Sequence, residues 1–291
     1  MAKHDGVPSL PKRRLAERLR DARHAQGLTG QQVADRMGWS APTQSRIERG
    51  HLGHLREHDL RALCQVLDIT DPEEIAALLS LLAEASAKAT SWWQQFDQVI
   101  NERLDVYVGL ETDARSIDIF RPDLIPGLFQ IADYARALND LYFPGDSGEK
   151  QDQRIELKLR RQTSLTRKTD PMTVTLVLEE SALRRVVGSE RVMRAQLKHL
   201  AEMSQRPNLS IRVLPFTAGF PVGASTGPFS ILEFESNPRI VYVEAFTSNM
   251  YLEADSDVTK YQAAFTSLHR ATLDAVASRN LMRQVAKEFV T

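Results

Sequence analysis

Residues 28–50 read LTGQQVADRMGWSAPTQSRIERG, and the reading of this stretch decides the architecture of the first third of the chain. Thr29 stands where a helix N-cap is needed, and Gln32, three positions later, completes a capping box. Val33, Ala34 and Met37 then fall on one helical face. Gly38 can adopt the left-handed conformation that ends a helix. A second helix opens almost at once, with Ser40 as its N-cap. Pro42 lies in the first turn, where its missing N–H costs nothing, so it marks a helix start and does not break a helix. Ile47 points inward and Gly50 ends the segment. Two short helices joined by three or four residues make a helix-turn-helix.

The flanks extend this unit into a predicted domain of five helices. After a polar arm (residues 1–11), a first helix is expected from Lys12 to about Gln26, with Leu15, Leu19 and Ala22 inward among arginines. A fourth follows over about Glu57–Leu67. A fifth opens at Asp71-Pro72-Glu73-Glu74, with acidic residues at its positive end, and runs to about Ala89. Cys64, the only cysteine of the chain, shares a face with Leu60, Leu63 and Leu67 and reads as a small core residue. A single cysteine allows no intramolecular disulfide and argues against a cysteine-based zinc site.

Net charge is −1, yet it is unevenly spread. Residues 1–66 carry 12 Lys/Arg against 7 Asp/Glu, and the remainder 25 against 31. A basic module joined to an acidic body fits one end that touches a polyanion. The N-terminus lacks the apolar core of a secretory signal, and no apolar run reaches the ~20 residues of a membrane span. The expected location is cytoplasmic, with no membrane partner.

The stretch resembles the phage-repressor/Cro-type (XRE) helix-turn-helix family, through Leu28, Thr29, Val33, Ala34, Met37, Gly38, Ser40, Ser45, Ile47, Glu48 and Gly50. Two positions depart from it. Gly30 replaces a glutamine that braces a phosphate in that family, and Gln31 or Gln32 is expected to substitute. Gln44 replaces a buried aliphatic residue. Its stem is expected to pack inward while its amide reaches a polar partner or solvent, because a buried amide without partners is costly. The resemblance implies that Ala41, Pro42, Thr43 and Arg46 face the major groove of double-stranded DNA. Arg46 is then the candidate reader of guanine, and Thr29, Ser40, Ser45 and Arg49 are the phosphate partners.

The C-terminal two thirds (residues 91–291) mixes strands and helices. "RSIDIFRP", "MTVTLVLEE" and "LSIRVLPF" read as strands, and "FSILEFE", "RIVYVEAF" and "NMYLEA" as an antiparallel meander. The segment "SWWQQFDQVINERLDVYVGLE" reads as continuing helix at the domain junction. Charged helices intervene, and two helices finish the chain. The whole is an α+β protein: an all-α repressor-type domain (12–90) and an α+β domain with an antiparallel sheet. Segments such as "RSIDIFRPDLIPGLFQIADYARAL", "EESALRRVVG" and "IRVLPFTAGF" resemble the C-terminal domain of unknown function of actinobacterial regulators of development and antibiotic production. That resemblance implies a transcription factor encoded beside a small partner protein that binds it. Together with the helix-turn-helix and the charge asymmetry, the expectation is a homodimeric regulator whose C-terminal domain senses a small-molecule effector, a partner protein, or both. An antitoxin-like interaction protein that autoregulates its operon is the alternative.

Enzyme chemistry finds little support. "HLREH" (His54, Glu57, His58) matches a zinc-peptidase pattern only over five residues, and no phosphate-binding loop or nucleophile elbow occurs. Glu179–Glu180 reads as a helix start, and Arg160–Arg161 and Arg184–Arg185 as partners for the domain's own acidic surface. No catalytic residue, metal or cofactor is expected.

Overall fold

The computed structural model describes residues 10–52, 55–86, 92–96, 98–100, 102–235, 238–245 and 249–289. The chain divides into two compact units, residues 1–94 with 102–109, and residues 95–101 with 110–291.

The first unit is helical: α1 (Leu10–Ala25), α2 (Gly30–Met37), α3 (Ala41–Ile47), α4 (Glu57–Val66) and α5 (Pro72–Ser86). Helix α1 begins two residues before the expected Lys12, because Pro11 is tolerated in a first turn that needs no N–H donors. Residues 87–90, the expected end of α5, lie outside the described residues, as do residues 1–9 of the expected arm. The core joins all five helices through Leu15, Leu19, Val33, Ile47, Leu60, Leu63, Cys64, Leu67, Leu78 and Leu82. Each fully buried aliphatic side chain contributes about 1.5–3 kcal/mol. Cys64 is a core residue, and burial pushes its thiol pKa up.

The junction segment is not one helix. It forms a 3-10 turn at Gln94–Phe96 and then α6 (Glu102–Asp113). The N–H groups of Val99 and Ile100 both donate to the Phe96 carbonyl, closing a turn there.

The second unit is built on one six-stranded sheet. Its strands are β1 (Ser116–Arg121), β2 (Thr173–Glu179), β3 (Leu209–Leu214), β4 (Phe229–Glu233), β5 (Ile240–Glu244) and β6 (Asn249–Leu252), in the order β3-β2-β1-β4-β5-β6. The expected antiparallel sheet is found in β1-β4-β5-β6, but β1, β2 and β3 run parallel, so the sheet is mixed. The reason lies in the connections. Strands β1 and β2 are joined through α7 (Ala132–Tyr142), α8 (Gly148–Arg161) and α9 (Thr163–Thr166), and β2 and β3 through α10 (Glu180–Arg184) and α11 (Glu190–Met203). Helical crossovers of that length return the chain to the same end of the sheet and make neighbours parallel. The short links among β4, β5 and β6 reverse it.

One sheet face is apolar over Phe120, Val177, Leu214, Phe229, Ile231, Val241 and Val243. Helix α12 (Asp255–Ala271) covers it with Val258, Phe265 and Leu268. Phe229 is central, with ring centroids 5.8 Å from Phe120, 5.0 Å from Tyr261 and 6.3 Å from Phe265. Helix α13 (Ala275–Glu288) packs on α11 and β3. It also closes part of an exposed strand edge: the Val213 N–H donates to Ser278 Oγ at 3.0 Å, and the Leu273 N–H to the Val213 carbonyl at 2.9 Å. Partnering an edge in this way removes a template for unwanted strand pairing. Glu179 and Glu180 open α10, and Arg184 pairs with Glu180 and Glu288.

Gly188, just before the Ser189 N-cap of α11, has φ +72, and a Cβ there would lie 2.8 Å from the Ala137 Cβ. Backbone strain and a clash with α7 therefore act together. Gly188→Ala is expected to cost about 2–3 kcal/mol, read as a lower urea midpoint for the C-terminal unit. An unchanged midpoint would show that the α7–α11 contact is looser than drawn.

Candidate nucleic-acid interface

The α2–α3 pair is built as its sequence dictates. Thr29 accepts from the Gln32 N–H at 3.2 Å, and Gln32 Oε1 accepts from the Thr29 N–H at 2.8 Å, a reciprocal capping box. Gly38 is left-handed (φ 67, ψ 28), and its N–H together with that of Trp39 closes the end of α2. Ser40 Oγ accepts from the Thr43 N–H at 3.3 Å, and Pro42 sits in the first turn of α3. Trp39, which no periodicity or spacing singles out, packs against the core from within the turn.

The orientation of α3 is fixed by a polar cluster set into an apolar surround. Arg23 of α1 grips Glu48, the C-cap of α3, through two bonds: Nε to Oε1 at 2.7 Å and Nη2 to Oε2 at 2.9 Å. Its Nη1 donates to the Leu28 carbonyl at 2.7 Å. Both charged side chains are 11% exposed. One guanidinium thus joins α1, the α1–α2 loop and the end of α3. Burial alone would raise the Glu48 pKa, but hydrogen bonds from Arg23 and Gln44 outweigh it and hold the carboxyl below its usual value. Arg23 is raised in turn by its bond to Glu48.

Gln44 behaves only partly as expected. Its whole side chain is buried, at 1% exposure. Nε2 reaches a polar partner, Glu48 Oε1, at 2.7 Å. Oε1 has no hydrogen-bond partner and does not reach solvent. A buried unsatisfied acceptor costs about 1–3 kcal/mol. The two positions that depart from the repressor pattern also adjoin each other, since a Cβ at Gly30 would lie 4.0 Å from Gln44 Cγ.

The outer side of this pair carries the sequence-derived candidates. Thr29, Gln31, Gln32, Ser40, Pro42, Thr43, Ser45, Arg46 and Arg49 are exposed, and Ala41 is half-buried. Several are held by neighbours. Gln31 Nε2 donates to Asp35 at 2.7 Å, Ser40 and Thr43 share their hydroxyls at 2.8 Å, and Arg49 Nε donates to the Ser45 carbonyl at 3.1 Å. The capping box uses the Gln32 Oε1 acceptor and not its Nε2 donor, whereas the Gln31 Nε2 donor is already turned to Asp35. His58 lies beside Asp59 at 3.1 Å, and His54 is outside the described residues.

The Arg23–Glu48 pair was missed at the sequence level. Both residues are legible as charged positions, but nothing in their separation of 25 residues announces a bond. Because the folded carboxyl titrates below the unfolded one, the pair's stabilisation is complete above the unfolded glutamate pKa of about 4.3 and disappears as pH falls through the lower folded value. Glu48→Gln should cost the helical unit about 2–3 kcal/mol at pH 7 and flatten its acid-side stability profile. Equal acid sensitivity in the variant and the parent would place the pair's contribution elsewhere.

Comparison with known families matches this geometry. A helix-turn-helix domain model covers residues 14–78, which contain α2, α3 and most of the core around them. The chain thus carries a DNA-binding helix-turn-helix, the unit of a DNA-binding regulator. Among the described residues no helix is long and apolar enough to cross a membrane. No curated protein and no solved structure matches the chain. A second model, the domain of unknown function DUF5753, covers residues 104–284, more than half of the sequence, and the chain belongs to that family.

Proposed function

We propose that the protein is a sequence-specific transcriptional regulator of the phage-repressor type, acting as a homodimer on double-stranded DNA. The observation that carries this reading is the capped α2–α3 pair, whose outer face is exposed while Arg23 and Glu48 hold its inner side to α1. A helix fixed at both ends can present side chains to a groove without losing its angle. Arg46 is the reader of guanine. Ala41 and Pro42 offer apolar contact to thymine methyls, and Thr43 adds a short polar contact. Thr29, Gln31 or Gln32, Ser40, Ser45 and Arg49 meet phosphates, beside the N–H groups at the start of α2. In a dimer, two copies of α3 sit about one helical turn apart on a pseudo-palindrome.

The DUF5753 unit, on this reading, supplies dimer contacts and responds to an effector or to a small partner protein encoded nearby. It is not an enzyme. The resemblance of its segments to actinobacterial regulators supports a role in controlling development or secondary metabolism.

Footprinting of the purified chain on its own promoter tests the reading. A protected stretch is expected, with affinity falling steeply as salt rises. Arg46→Ala should weaken binding about tenfold, or roughly 1–3 kcal/mol. Absence of protection, or protection indifferent to both Arg46→Ala and salt, would reject it.

A further inference from the structure

Helix α8 carries three cations at helical spacing on its inner side, Arg154, Lys158 and Arg161. Two have dedicated carboxylates. Arg161 makes a two-point contact with Glu111 at 2.7 Å for each bond, and Glu111 is 2% exposed. Arg154 donates to Asp146 at 2.6 Å and to the Val99 carbonyl at 2.6 Å, with its guanidinium 3.5 Å from the centroid of the Phe143 ring. Lys158 differs. Its Nζ donates to the neutral amide oxygen of Asn139 at 3.0 Å, and among the described residues no carboxylate accepts from it. Among the described residues Lys158 is thus the cation of this row with no carboxylate partner.

Asn139 adds an independent sign. It is 2% exposed, and its Nδ2 has no hydrogen-bond partner. Turning the amide over does not help, because it would aim the NH₂ group at the Lys158 ammonium, donor against donor. Gln130 and Gln151 of the same unit each leave an acceptor oxygen unpartnered, so Asn139 differs from them in orphaning a donor; Gln196 is satisfied at both ends. Gln196 Oε1 accepts from the Ile131 N–H at 2.7 Å, and its Nε2 donates to the Phe129 carbonyl at 2.7 Å. Beside Lys158, by contrast, the amide that accepts from the ammonium carries a second donor, Nδ2, for which the described residues supply no acceptor. A buried donor left unmade costs about 1–3 kcal/mol, and a buried unpaired cation more. Burial, with Arg161 and Arg154 nearby, lowers the Lys158 pKa to about 8, which leaves it mostly charged at neutral pH.

We propose that Lys158 and Asn139 form a binding site for the oxyanion of a small ligand, a carboxylate or phosphate whose oxygen accepts from both Nζ and Nδ2. The bound oxygen supplies the missing negative charge and the missing acceptor in one group. Arg154 and Arg161, already neutralised, frame the site and raise the local potential. This gives the effector-sensing reading of the C-terminal unit a place and a ligand chemistry. It rests on that reading for its regulatory meaning only, because binding is measured without DNA.

Calorimetric titration of the full chain with inorganic phosphate, and separately with acetate, in buffer balanced with sodium chloride tests the site. One-site saturation with at least one of the two is expected. Phosphate alone would point to a phosphorylated ligand, acetate alone to a carboxylate. Lys158→Met and Asn139→Asp should each weaken binding at least tenfold. Asn139→Asp should also raise the chain's thermal midpoint, since it places a carboxylate against Lys158, and this keeps the test open if Lys158→Met folds poorly. No binding of either anion, or equal binding in both variants, would overturn the proposal while leaving the DNA-reading proposal untouched.

Discussion

The Arg23–Glu48 ion pair is the constraint on which the orientation of α3 depends. The hydrophobic core of the helical unit pulls α1 to α5 together, but apolar contact has no direction and tolerates rotation of a short helix. Helix α3, from Ala41 to Ile47, is too short to hold its own angle by packing alone. A guanidinium fork has direction. By fastening the end of α3 and the Leu28 carbonyl at once, Arg23 converts about two turns of loosely oriented helix into a fixed one. Gln44 completes the cluster and is itself imperfectly satisfied, so specificity of orientation is gained at some cost in stability.

Much of the helical unit is legible in its sequence because its signals are local. Thr29 with Gln32, Gly38, and Ser40 with Pro42 each act within four residues, and each stands in the structure where spacing puts it. The identity of the buried side, Val33, Ala34 and Ile47, follows from helical periodicity. What could not be read is non-local. The partner of Glu48 lies 25 residues away, and the destination of the Gln44 amide depends on that partner. The exposure of Arg46 is legible from its place on the helix.

The second unit shows the same division. Strand positions in β1 to β6 follow from β-branched and aromatic alternation, but strand direction does not, since a strand's pattern is the same read either way. The parallel half of the sheet is set by the helical crossovers α7 to α11, whose lengths only acquire meaning once the strands are paired. The Lys158–Asn139 cluster is further from reach. Position 158 reads as one of several cations on a charged helix, and only packing distinguishes it from Arg154 and Arg161 by leaving it without a carboxylate.

On the proposed function, a helix held by Arg23 and Glu48 reads DNA sequence. Selection of duplexes from a random pool by the full chain measures this directly, since it assumes no operator. Enrichment of one motif, containing guanine at a fixed position and repeated about one helical turn apart, is the result the account predicts. A pool that remains random after repeated rounds, with binding that depends on salt alone, would contradict it.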